Sequence, residues 1–179
     1  MHDRKIMMIG PMGAGKTSLG KRLANRLRWR FVDTDQALIA RTGVDIPTIF
    51  AQEGEEGFRR REHEMLCDIL QKPHDTVVAC GGGIVLDPRN RELIGKQALV
   101  IFLDVSVERQ IERIGQDRNR PLIHAADQRQ HLLDMRSVRL PLYKSLADIT
   151  VSTDGNNFSR TFHALLDKVE KYLAETPMR

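Results

Sequence analysis

The feature that most narrows the fold is a short apolar run, Ile6-Met7-Met8-Ile9, that runs straight into Gly10-Pro11-Met12-Gly13-Ala14-Gly15-Lys16-Thr17. A continuous apolar run closed by glycine is what a strand buried on both faces of a parallel sheet requires. The eight residues after it match G-x-x-x-x-G-K-[ST], and Leu19, Leu23 and Leu27 follow at helical spacing. Strand, glycine loop and helix together give that motif its physical meaning. Glycines let backbone N–H groups turn inward, and the helix start adds unpaired donors and the positive end of a dipole. Such a nest takes a polyphosphate. Gly13, Ala14, Gly15, Lys16, Thr17 and Ser18 are the expected nucleotide contacts, with Lys16 reaching the β- and γ-phosphates and the Thr17 hydroxyl ligating Mg²⁺. ATP or GTP with Mg²⁺ is implied.

The same rhythm continues downstream. Phe31-Val32, Val77-Val78-Ala79-Cys80, Leu99 to Leu103 and Ile149-Thr150-Val151 read as further strands. Phe158, Phe162, Leu165, Leu166, Val169 and Leu173 mark one face of a C-terminal helix. Strands alternating with helices imply βαβ units and a parallel sheet. The 179 residues fit one domain, 1–179. Gly115 to Asp127 breaks the rhythm, with no apolar period and with Gly, Asn and Pro, and is expected to be a mobile lid.

Composition removes several classes. The longest plain apolar run, Ala98 to Leu103, is far short of the roughly 20 residues of a membrane span. Ile6 to Ile9 is too short for a signal-peptide core, so the expected location is the cytoplasm, and a monomer is the default. Cys67 and Cys80 form no C-x-x-C, which leaves them as small buried residues. Of the 28 basic residues 20 are Arg, whose planar fork suits phosphate and carboxylate. Those residues are scattered, and two Tyr and one Trp offer little to stack on, so small anions fit better than nucleic acid.

Other clusters carry chemistry less exclusively. Asp33-Thr34-Asp35 follows the second strand, and continued extended geometry would point both carboxylates to one side, near the phosphate loop. One could hold a Mg²⁺-bound water and the other orient or deprotonate an acceptor hydroxyl. Phe58-Arg59-Arg60-Arg61-Glu62 on its own reads as a solvated charged face. Gly81-Gly82-Gly83 ends the third strand and allows a close backbone approach to a ligand. Arg118, Arg120 and Pro121 lie in the lid, while Arg136 and Arg139 precede Pro141 near the end of another helix. His63-Glu64 begins an H-E-x-x-H match that fails at Cys67, so no zinc site is drawn.

The ordered set GPMGAGKT, DTD, FRRRE, GGG, RNRPL and RLPLY, spread from about Lys5 to Val151, resembles the shikimate kinases. The resemblance implies an α/β, P-loop NTPase-like three-layer sandwich with a five-stranded parallel sheet. It implies transfer of the ATP γ-phosphoryl to the 3-hydroxyl of shikimate, on the chorismate route to aromatic amino acids. By that resemblance Asp33 supports the Mg²⁺ shell beside Thr17, and Asp35 binds the acceptor and acts as base. Arg59 and Arg139 hold the shikimate carboxylate, Gly82 donates a backbone N–H, Arg120 meets the phosphates and Arg113 lies near the adenine. Glu62 orients Arg59. The chain departs from the family at Gly155-Asn156-Asn157-Phe158, where many members carry a basic-Asn-Pro turn, and Arg60 and Arg61 receive no role beyond the surface. A gluconate- or nucleoside-monophosphate-type kinase and a noncatalytic ATP-sensing module remain as alternatives. Asp35, Arg59 and Arg139 argue against the last, since sensing needs no acceptor site.

Overall fold

A computed structural model of the chain describes residues 3–115, 125–155 and 157–175. Arg120 and most of the expected lid lie outside them.

Among the described residues there are five strands, β1 (Lys5–Ile9), β2 (Arg30–Asp33), β3 (Thr76–Ala79), β4 (Leu99–Asp104) and β5 (Ile149–Ser152), and all their pairings are parallel, in the order β2-β3-β1-β4-β5. The helices are α1 (Lys16–Leu27), α2 (Thr34–Thr42), α3 (Ile46–Gln71), α4 (Pro88–Gln97), α5 (Val107–Gly115), α6 (Ala125–Leu146) and α7 (Phe158–Glu175). Each apolar run of the sequence became a strand. The period of two then sorts its side chains into two cores. Met7, Ile9, Val78, Val100 and Phe102 face one core with residues of α3, α4 and α6, whereas Ile6, Met8, Val77, Ile101 and Leu103 face the other with α1 and α7. The result is an α/β/α sandwich.

The connections part to opposite faces between the parallel neighbours β1 and β3: the chain leaves β1 through α1 on one face and leaves β3 toward α4 on the other. Ligands of open parallel sheets bind outside the strand ends at such a point. Here it brings Gly10, after β1, beside Gly82, after β3: a Cβ built on Gly82 would lie 3.5 Å from the Gly10 carbonyl oxygen.

Two local expectations are revised, at Asp33 to Asp35 and at the edges of the lid. Asp33-Thr34-Asp35 does not stay extended, because Asp33 caps α2, accepting from the Asp35 and Gln36 N–H groups at 3.1 and 3.2 Å, and Asp35 is already helical. Pro141 lies inside α6 near its end at Leu146, without the bond that the missing N–H would make to the Ser137 carbonyl. The lid's expected edges are helical too, since α5 runs to Gly115 and α6 starts at Ala125.

Candidate active site

The phosphate loop takes the shape its glycines permit, with φ of +143° at Gly10, +78° at Gly13 and +88° at Gly15. Lys16 opens α1 and donates from Nζ to the carbonyls of Gly10 and Pro11, both at 2.8 Å. An ammonium has three donors, so one N–H remains. Burial is the main cause of its depressed pKa, about 8. Next to it the Thr17 hydroxyl donates to Asp33 Oδ2 at 2.7 Å. The carboxylate that caps α2 with one oxygen thus meets the P-loop threonine with the other.

Three successive glycines organise the opposite wall. A Cβ on Gly81 would fall 2.8 Å from Asp35 Oδ1, one on Gly82 would lie 3.7 Å from an Arg139 Nη, and one on Gly83 would come within 2.5 Å of both Arg59 Nη atoms. At Gly81 the space belongs to Asp35, with Glu62 Oε1 3.2 Å away, and at Gly83 it belongs to Arg59. The sequence suggested that these glycines leave their N–H groups to a ligand, but the Gly81 N–H donates to Thr34 Oγ1 at 2.9 Å.

Arg59 is not on a solvated face. Its side chain is 17% exposed, lies 5.1 Å over the Phe58 ring and donates to Glu62 Oε2 at 2.7 Å. Arg59 Nε and Glu62 Oε1 are buried without a hydrogen-bond partner. Unpaired buried polar atoms are costly, and a guanidinium with spare donors suits an incoming carboxylate. Burial raises the Glu62 pKa against the pull of Arg59, and burial followed by the Asp33 charge raises that of Asp35. Tyr143, one turn beyond Arg139 on α6, donates to the Gly82 carbonyl and interacts with Arg139; burial pushes its pKa up to about 12.

Lys16, Thr17, Ser18, Asp33, Asp35, Arg59, Glu62, Gly82 and Arg139 line one cavity of about 590 Å³, together with Gly13, Gly15 and the apolar Ile46, Phe50, Phe58 and Met135. A second cavity opens on the far side of Gly13, Ala14 and Gly15, walled by Arg109, Arg113, Thr153 and Phe158. Arg113 is pinned there, donating to the Gly13 carbonyl at 2.7 Å and to that of Thr153. In the turn that departs from the family, Asn156 lies outside the described residues. Asn157 caps α7 by accepting from the Arg160 N–H at 2.9 Å, and Phe158 lies 5.4 Å from the Arg22 guanidinium.

Sequence reasoning missed several partners. Phe50 stacks on Phe58 at 4.5 Å, and Thr34 holds the Gly81 amide. Arg61 clasps Glu53 with bonds of 2.6 and 2.9 Å, so it has a partner that the surface reading did not give it. Tyr143 sits in the quoted RLPLY motif, where its distance of four from Arg139 was the available signal. Cys67 is only partly buried; its Sγ lies 3.7 Å from His63 Nε2, while His63 Nδ1 contacts Asn90 Oδ1 at 2.7 Å. Among the described residues no group of three or more His, Cys, Asp or Glu is placed to hold a metal.

Fold and cavity together define a class: a P-loop protein whose phosphate loop shares one chamber with a carboxylate pair and two guanidiniums. The family model "Shikimate kinase" matches residues 12–170. A shikimate kinase of Francisella tularensis subsp. novicida is 41% identical over 175 residues, covering 98% of this chain and 97% of that one. Among solved structures, shikimate kinase from Acinetobacter baumannii in complex with shikimate superposes with a TM-score of 0.86 at 36% identity over 94% of each chain. That from Aquifex aeolicus gives 0.77 at 29% identity over 94% of this chain and 98% of that chain. The chain belongs to the shikimate kinase family.

Proposed function

We propose that this cavity transfers the γ-phosphoryl group of ATP to the 3-hydroxyl of shikimate, and that the chain does so as a single cytoplasmic domain and a monomer. The observation that carries the reading is the glycine row, which sets Asp35, Arg139 and Arg59 side by side, facing the phosphate loop. Two guanidiniums on one wall suit the acceptor's carboxylate, bidentately. With the carboxylate held there, Asp35 can accept a proton from a ring hydroxyl, and its raised pKa makes it a better base than an exposed aspartate. As the acceptor oxygen bonds to the γ-phosphorus, the hydroxyl proton passes to Asp35 and the β–γ bridging oxygen leaves with ADP.

Lys16 spends its remaining donor on the transferring group, and Arg120 is assigned the same task on resemblance alone. The hydroxyl of Thr17 and the carboxylate of Asp33 are hard oxygen donors side by side, the set Mg²⁺ takes when phosphates and waters complete its shell. When bound there, the ion neutralises phosphate charge. Arg113, on the second cavity, belongs to the nucleoside side. No described helix is long and apolar enough to cross a membrane.

The test is ADP release from Mg²⁺-ATP with shikimate, gluconate, AMP or no acceptor. Release that depends on shikimate supports the reading. Release with gluconate or AMP would move the substrate, and ATP binding without release would favour a sensor.

A further inference from the structure

The phosphate loop is held from outside by a residue that no sequence motif picks out. Gln110, on α5, is 1% exposed and donates from Nε2 to the Met12 carbonyl at 2.8 Å, across 98 positions of chain. One turn later Arg113 takes the neighbouring Gly13 carbonyl at 2.7 Å. The α5 backbone presses on the loop as well, since a Cβ on Gly13 would lie 3.6 Å from Gln110 Cα.

The consequence comes from peptide geometry. A trans peptide is planar, with its C=O and N–H pointing in opposite directions. Holding the Met12 carbonyl toward α5 therefore turns the Gly13 N–H away from it, and Gly13 lines both cavities. Glycine adopts either sign of φ with little penalty, so the backbone preference of Gly13 does not by itself decide which way this peptide faces. The next peptide is held at both ends, by Arg113 on the Gly13 carbonyl and by the Ala14 N–H donating to Pro11 at 3.3 Å. On the Met12 carbonyl, α5 supplies the Gln110 amide.

The side chain is also a poor choice for packing alone. Because the Met12 oxygen can only accept, the amide must present Nε2 to it, and this leaves Gln110 Oε1 buried without a partner. The small cavity at this position is walled by Pro11, Leu132, Met135, Leu140 and Tyr143 together with Arg136 and Arg139, and an apolar residue of the same shape would avoid the cost of the unpaired Oε1.

We infer that Gln110 is a positioning residue of the phosphate loop, holding the Met12–Gly13 peptide so that the Gly13 N–H faces the nucleotide phosphates. The inference rests on the nucleotide-binding reading of that loop.

Calorimetric titration of ADP, and separately of shikimate without nucleotide, into the wild type, Gln110→Met and Gln110→Leu tests it. Met keeps the shape without a donor. Leu is likewise neutral and without a donor but differs in shape, which covers the case in which Met misfolds. Loss of one buried anchor should raise the Kd for ADP about five- to tenfold in both. Shikimate affinity should stay at the wild-type value, with a wild-type or higher melting temperature for Gln110→Met. The Gly13 amide resonance, moved by ADP in the wild type, should start displaced in the variant and move less. Unchanged ADP affinity overturns the inference, as does a joint fall in ADP affinity, shikimate affinity and melting temperature, which marks a packing role. A wild type that binds no ADP would instead overturn the nucleotide reading, and this inference with it.

Discussion

Gly83 shows how much of the site depends on the absence of a side chain. A Cβ there would come within 2.5 Å of the Arg59 guanidinium, whose position is fixed from behind by Glu62. Gly83→Ala should raise the KM for shikimate about ten- to a hundredfold, the cost of a displaced charge-assisted bond, while the KM for ATP holds. Steady-state kinetics with each substrate varied in turn separates the two, and an unmoved shikimate KM would take Arg59 out of the acceptor site. Lys16 makes a prediction in pH. Its folded pKa is about 8 against an ordinary 10.5, so the unfolded chain binds the extra proton between them and the nucleotide-free fold gains stability as pH rises through that window. Phosphate binding needs the charged form, so ATP affinity should fall above about pH 8, by up to about tenfold per pH unit. Calorimetry from pH 7 to 9.5 reads this directly, and a flat profile would remove Lys16 from the phosphates.

Among the elements, α3 is the least regular. Gly54, at φ +68° and ψ −173°, breaks it into two helical stretches. Phe50 and Phe58 stack across the break on the cavity side, and Glu53 and Arg61 clasp across it as well. The clasp fixes the angle at which Ile46 and Phe50 meet the cavity. Arg61→Leu should therefore raise the KM for shikimate about two- to fivefold, with the ATP KM and the melting temperature nearly unchanged. A loss confined to melting temperature would make the clasp a matter of stability alone. The break also shows where the sequence stopped being readable. The inner strands β1, β3 and β4 were legible because a parallel sheet buries them on both faces and so writes them as unbroken apolar runs, whereas the half-exposed edge strands β2 and β5 left only short apolar traces. The kink was not, because one glycine in a charged helix looks like many tolerated ones. That Asp33 and Asp35 face the phosphate loop's cavity was legible, but their geometry was not, since a cap residue and an extended pair share the same letters. Gln110 carried no local signal, its partner being 98 positions away.

Across the whole molecule, the sheet separates stability from chemistry. The core formed with α1 and α7 contains Leu165, fully buried, on the face away from the acceptor wall. Leu165→Ala should cost about 2–5 kcal/mol of unfolding free energy in denaturant titration and leave the KM for shikimate near wild type. A large KM change would mean that the two faces are coupled. The strand ends, by contrast, gather a phosphate loop, a carboxylate and two guanidiniums into one chamber, and the central claim is that the carboxylate moves the proton there. The most direct measurement is kcat for Asp35→Asn at saturating ATP and shikimate, with binding of both checked by titration. The expected result is a fall of about a hundred- to ten-thousandfold with both ligands still bound. A kcat within a few fold of wild type would contradict it.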